Sequence, residues 1–207
     1  MNSHSEGTAV HVHRDDVGAK MGMWLFLFTE ILLFGGMFLV YAFYRIQNPD
    51  HFRVAAMELS TNIGTLNTII LLTSSLTVAL SIAAIQKGNR FLSVLMLNLT
   101  LVFAVMFMVN KYFEWSAKIS HGIYPGSKEM LDLPNGQILF FGLYYVMTGL
   151  HALHVIIGVV VLSIILLQVM KRKITQDSYV KLENAGLYWH LVDLIWIFLF
   201  PLFYLIQ

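Results

Sequence analysis

Apolar side chains gather into five long blocks, at 21–44, 65–85, 91–109, 138–170 and 185–206, with short polar stretches between them. A helix needs about 20 predominantly apolar residues to cross a hydrocarbon layer of about 30 Å, so each block predicts a transmembrane helix. The punctuation agrees: Asn48-Pro49-Asp50 follows the first block, Lys87-Gly88-Asn89-Arg90 the second, and Lys171-Arg172-Lys173 the fourth. Pro125-Gly126 and Leu133-Pro134-Asn135-Gly136 bound the longer third loop. The fourth block, about 33 residues, makes a helix of about 50 Å and must tilt or project beyond the bilayer. The expected fold class is therefore an all-α membrane protein: a polar tail over 1–20, then a single five-helix domain over 21–207.

Composition makes the same argument independently. Of 207 residues, 57% are hydrophobic and 12% are charged, and mean hydropathy is +0.70. Soluble domains carry about 25% charged residues, so half of the usual polar coat is missing and the surface must face lipid. With no cysteine, disulfides, thiolate metal sites, iron–sulfur clusters and thiol chemistry are excluded. No basic stripe points to nucleic acid. The first apolar block is too long for the core of a cleaved leader and has no small-x-small site after it, which predicts a retained first span.

Lysine and arginine set the expected orientation. Arg14, Lys20, Lys87, Arg90, Lys171, Arg172, Lys173 and Lys181, eight of the thirteen, fall on the side of the N-terminus. The positive-inside rule then places the N-terminus in the cytoplasm and the C-terminus outside.

Chemistry rests on the polar residues inside these blocks, because an ionisable group near mid-bilayer costs about 2.5–3.5 kcal/mol on insertion scales and needs a partner. Glu30 sits deep in the first block. It is a proton carrier, a metal ligand or a structural carboxylate bonded to another helix, and the last reading is preferred. His151 and His154 lie at i and i+3 on one face of the fourth. They are candidate metal or haem ligands, but Thr148 stands where a Glu-x-x-His di-metal motif needs its carboxylate. Interhelical hydrogen bonding is preferred. In the fifth block Asp193, one turn from His190, is placed to orient its ring, and a fixed polar seam is preferred to a catalytic base. Lys111 and Glu114 are spaced to pair at the end of the third block, among aromatics of the interfacial type. Asn67-Thr68 and Thr73-Ser74-Ser75 suit close helix packing in the second. His11 and His13 read as part of a solvated tail.

Five stretches then occur in a telling order: Gly22-Met23-Trp24-Leu25-Phe26 leading to Glu30; Leu66-Asn67-Thr68 with Thr73-Ser74-Ser75; Glu114-Trp115; Gly149-Leu150-His151-Ala152-Leu153-His154 with Gly158; and Tyr188-Trp189-His190-Leu191-Val192-Asp193 with Trp196. Over nearly the whole chain this resembles subunit III of the haem–copper respiratory oxidases, which act on cytochrome c or quinol. The resemblance implies a helical subunit with no catalytic centre, haem or metal of its own. It would pack on subunit I, with subunit II and a small subunit IV as further partners. Haems and copper would reside in those partners, and phospholipid would be bound. It further implies support of proton uptake by subunit I, protection during turnover, and a place in a bacterial plasma membrane. Glu30 and His154 would match the family's buried carboxylate and histidine. Glu6, Thr8 and His13 would match its lipid-headgroup segment, although Val12 occupies one position of the histidine pair there. Lys111 stands where the family often has glutamine. Many members have seven helices, so five spans imply the form in which another subunit fills the place of the first two.

Three other readings compete. A free-standing membrane cytochrome or metalloprotein would use His151, His154 and His190. A transporter with an intramembrane carboxylate would show repeats or broken helices, and none is evident. A subunit-III-like partner of a nitric oxide reductase shares the same motifs. On the preferred reading Glu30 meets His151 or His154 across the first and fourth spans, while His190 and Asp193 bond into the same bundle.

Overall fold

A lipid-facing chain must close all its backbone hydrogen bonds within each span, and this one does so with helices alone among its described residues. The computed structural model describes residues 16–206. Helix α1 covers Asp16–Gln47, α2 Pro49–Met57, α3 Thr61–Gln86, α4 Arg90–Ser120, α5 Lys128–Leu131, α6 Asn135–Met170 and α7 Val180–Tyr204. Five of these are long and apolar enough to cross a membrane: α1, α3, α4, α6 and α7. Glu6, Thr8 and His13 lie outside the described residues.

Helix α7 is the hub, packing on α3, α6 and α1, while α3 and α4 form a tight hairpin and α4 also meets α6. Helix α1 is peripheral. Its buried residues Leu27, Phe34 and Tyr41 recur every seven positions, a single seam toward the bundle. Met23, Met37, Phe38 and Tyr44 flank that seam half-buried, and most of the helix's remaining apolar side chains are exposed.

Three glycines let the helices come this close. A Cβ at Gly158 would lie 2.7 Å from the Trp189 ring, one at Gly186 2.7 Å from Ile82, and one at Gly64 2.8 Å from Phe200. Small residues at crossings are how helices approach in lipid, where apolar burial between spans gains little.

Sharp stops shape both ends. Helix α3 ends in a Schellman motif, with Gly88 at φ 73° and Asn89 N–H donating to the Ala84 carbonyl. Helix α6 ends the same way with Arg172 at φ 56°, and the Arg90 guanidinium donates to the terminal carbonyls of Val169 and Met170. A cation there also complements the negative end of the helix dipole.

Helix α4 runs well beyond the apolar block that predicted it. Lys111, Glu114 and Lys118, spaced i, i+3 and i+7, are only 2%, 6% and 8% exposed. Lys111 and Glu114 bond each other and tyrosines of α6 and α7, and Lys118 bonds the Glu58 carbonyl at the end of α2, so the polar end of the block continues as a buried helical face.

Candidate functional site

The polar groups that hydropathy alone would forbid are gathered between the helices, where several of them pair. Glu30 on α1 meets His154 on α6, with Oε2 and Nε2 2.9 Å apart. The other ring nitrogen, Nδ1, lies 2.8 Å from the Leu150 carbonyl, which only accepts, so Nδ1 carries hydrogen. The Glu30–His154 bond then has two protonation patterns: a carboxylic acid donating to a neutral ring, or an imidazolium donating to a carboxylate. Both hold one proton between the two groups, and either anchors the peripheral α1 to the bundle. Tyr188 on α7 donates to the His154 carbonyl at 3.0 Å and draws the third helix in.

His151 has no such partner. It is fully buried, neither ring nitrogen meets a hydrogen-bonding group, and the ring packs edge-on against Phe107 and tilted against Trp196. The two histidines share a face by spacing, yet the structure sends one to Glu30 and the other into an aromatic layer. Among the described residues no group of three or more His, Cys, Asp or Glu side chains is placed to hold a metal ion.

The expected His190–Asp193 contact is replaced by another. His190 Nδ1 lies 2.6 Å from the Ser75 hydroxyl on α3. Asp193 is 3% exposed and lies beside Ser75 without closing a bond of normal geometry to it or to His190. The turn of α7 carries Asp193 inward while His190 stays half-buried, so the serine orients the ring.

Helix α3 presents polar side chains to both of its neighbours. Toward α4, Asn110 donates to Asn67 at 2.9 Å, Thr77 meets Thr100 at 2.7 Å and Ser81 meets Ser93 at 2.9 Å. Toward α7, the Trp189 indole donates to Ser74 at 3.0 Å and the Trp196 indole to Thr68 at 3.1 Å. Thr68 and Ser74 donate to carbonyls of their own helix as well, so each ties α3 to the indole it accepts from, and the bonds across the interface fix register as well as contact.

The densest cluster lies nearer the end carrying the C-terminus. Lys111 Nζ donates to Glu114 Oε2 at 3.0 Å and to the Tyr144 and Tyr204 hydroxyls, each at 3.1 Å. Both tyrosines donate to Glu114 Oε1, at 2.8 and 2.5 Å. Every ammonium proton and both carboxylate oxygens are used, and the rings of Trp115, Tyr144, Trp196 and Tyr204 surround the cation. Spacing pointed to the Lys111–Glu114 pair. Nothing in the sequence marked Tyr144 or Tyr204 as its partners, because they come from α6 and from the last turn of α7.

The pairing across α1 and α6 has a direct test. Glu30→Ala and His154→Ala are expected to be non-additive in unfolding free energy, with a coupling of about 1–2 kcal/mol in a double-mutant cycle. Additive losses would mean that the contact carries no energy.

Comparison with known proteins gives the arrangement its context. The family model described as cytochrome c oxidase subunit III matches residues 2–207. The chain is 33% identical over 198 residues to cytochrome c oxidase subunit 3 of Yarrowia lipolytica, covering 90% of this chain and 67% of that one. Similarity to cytochrome c oxidase subunit 3 of Prototheca wickerhamii is 31% over 205 residues, 94% of this chain and 71% of that one. A third relative, the heme-copper oxidase subunit I+III of Aeropyrum pernix, is 31% identical over 193 residues. That match covers 90% of this chain and spans only 22% of the relative.

Proposed function

Because this chain belongs to the cytochrome c oxidase subunit III family, we propose that it serves as the non-catalytic subunit III of a proton-pumping haem–copper terminal oxidase. In this role it packs against subunit I, with subunit II and a small subunit IV as further neighbours. The haems and copper belong to those partners. Its own contribution is to hold the catalytic subunit in shape during turnover, to support proton uptake there, and to bind phospholipid. The membrane is a bacterial plasma membrane, with the N-terminus in the cytoplasm.

One observation carries this reading: the acid and imidazole groups at membrane depth that have partners are joined between helices, as Glu30 is to His154 and Glu114 to Tyr144 and Tyr204. Such saturation builds a rigid body suited to docking. The relative named for both subunits I and III supports the choice of partner, since fusion makes association obligatory there. The orientation is supported by Lys20, Lys87, Arg90, Lys171, Arg172, Lys173 and Lys181, which all lie toward the bundle end where α1, α4 and α7 begin.

Extraction in mild detergent is the test. The chain is expected to co-purify with a haem-bearing subunit whose spectrum shows a haem–copper oxidase. Purification without haem-bearing partners, or with a nitric oxide reductase alone, would overturn the assignment.

A further inference from the structure

The outward face of α4 carries a pattern that the packing within this chain does not use. Toward the bundle the helix buries Ser93, Leu97, Thr100, Ala104 and Phe107. On the far side Leu95, Asn98, Val102, Val105, Val109 and Tyr112 are all exposed, the five other than Asn98 by 44–69%. They follow one another at steps of 3, 4, 3, 4 and 3 residues. That alternation is the a and d seam of a coiled coil, which keeps one stripe facing a second helix over several turns.

Asn98 puts an amide into this seam. It stands eight residues after Arg90, where α4 begins, and so about 12 Å along the helix and inside the apolar block. Exposed hydroxyls elsewhere in the spans, on Thr29, Thr65 and Thr73, give their single hydrogen to a carbonyl of their own helix. Asn98 does the same with one amide hydrogen, donated to the Val94 carbonyl at 2.8 Å. A carboxamide has a second N–H and a carbonyl oxygen besides, and among the described residues neither of these meets a partner. Left facing hydrocarbon, they are costly. Beside the seam, Val105, Val109 and Tyr112 border an apolar cavity of about 470 Å³ whose other wall includes Ile156 and Val160 of α6. Side chains of an opposing helix can enter that recess.

We propose that this face of α4 is the contact between two copies of the chain, related by a twofold axis along the membrane normal. Insertion gives every copy the same orientation, so two α4 helices meeting about that axis run parallel, and residues of equal number meet at equal depth. Asn98 then faces Asn98. The carboxamide is its own complement: the free N–H of one copy donates to the Oδ1 of the other. A different partner would have to present a polar group at that same depth, whereas a second copy supplies it by symmetry. One asparagine in an otherwise apolar seam also fixes the register and the number of helices that associate. The inference needs only membrane insertion of the bundle and is independent of the oxidase role.

The chain has no cysteine of its own, so a single introduced thiol reports what it faces. Native membranes holding the full chain with its accompanying subunits are oxidised with copper phenanthroline, and the products are separated without reductant and identified by mass spectrometry. Val102→Cys is expected to give a disulfide that joins two copies of the chain. Leu32→Cys on α1, as open to lipid at 59% exposure, is expected to give none. Adding Asn98→Leu to Val102→Cys should lower the yield at least about threefold, the weight of an interhelical hydrogen bond in lipid. Asn98→Gln, which keeps the amide, should retain it. Both substitutions lie on the exposed face and leave the packed side of α4 untouched. Three results would each overturn the proposal: no paired chains from Val102→Cys, equal yields with and without Asn98→Leu, or a thiol at that position joined to a different subunit in place of its own copy. A yield from Leu32→Cys matching that from Val102→Cys would do so too, since it would mark random collision.

Discussion

Replacing Glu114 with alanine is expected to destabilise the bundle by about 3–5 kcal/mol, the loss typical when one member of a buried ion pair is removed. The substitution leaves the Lys111 ammonium inside an aromatic box with only two hydroxyls for company. Those tyrosines lose their acceptor at the same time. Removing both charges together in Lys111→Met with Glu114→Gln should recover a large part of the loss, because no isolated charge then remains. Unfolding in dodecyl maltoside titrated with dodecyl sulfate would measure each variant. If the double variant were as unstable as the sum of the singles, the charges would not be acting on one another. The cluster ties the C-terminal end of α4 to α6 and α7, so the loss should appear as loosening of Tyr144 and Tyr204 first.

The second large effect is expected at Trp189. This indole is fully buried, donates to Ser74 on α3 and lies directly over Gly158 on α6. Trp189→Ala should cost about 3–5 kcal/mol, from the cavity left behind and the lost packing. The reverse change, Gly158→Leu, drives a side chain into ring atoms already 2.7 Å from an added Cβ and should separate α6 from α7. Combined, the new leucine enters the space the indole vacated, and the pair should be more stable than either single variant. Thermal unfolding in the same detergent gives the comparison. A double variant worse than both singles would show that Gly158 does not meet Trp189 as described.

Several features were legible in the residues for reasons that are easy to state. Lipid permits so few backbone arrangements that five apolar blocks read directly as five helices. The same argument turned Glu30, His151, His154, His190 and Asp193 into a demand for partners, and it named one partnership, Glu30 with His154, among its options. Other features resisted. Spacing put His151 and His154 on one face but did not separate their fates. It offered Asp193 as the group that orients His190, whereas Ser75 from another helix does so. It ended the third span near Val109, although α4 continues to Ser120 with Lys111, Glu114 and Lys118 folded inward.

By itself the sequence determined the number of spans, their approximate limits and which polar groups had to be buried. Those follow from transfer energies and helix geometry, which are local to each segment. Which side chain meets which was decided only in the tertiary structure. Pairing depends on the rotation and register of each helix, and these are set where Gly64, Gly158 and Gly186 let neighbours approach. That approach gave Tyr144 and Tyr204 to Lys111 and sent Lys118 to the Glu58 carbonyl.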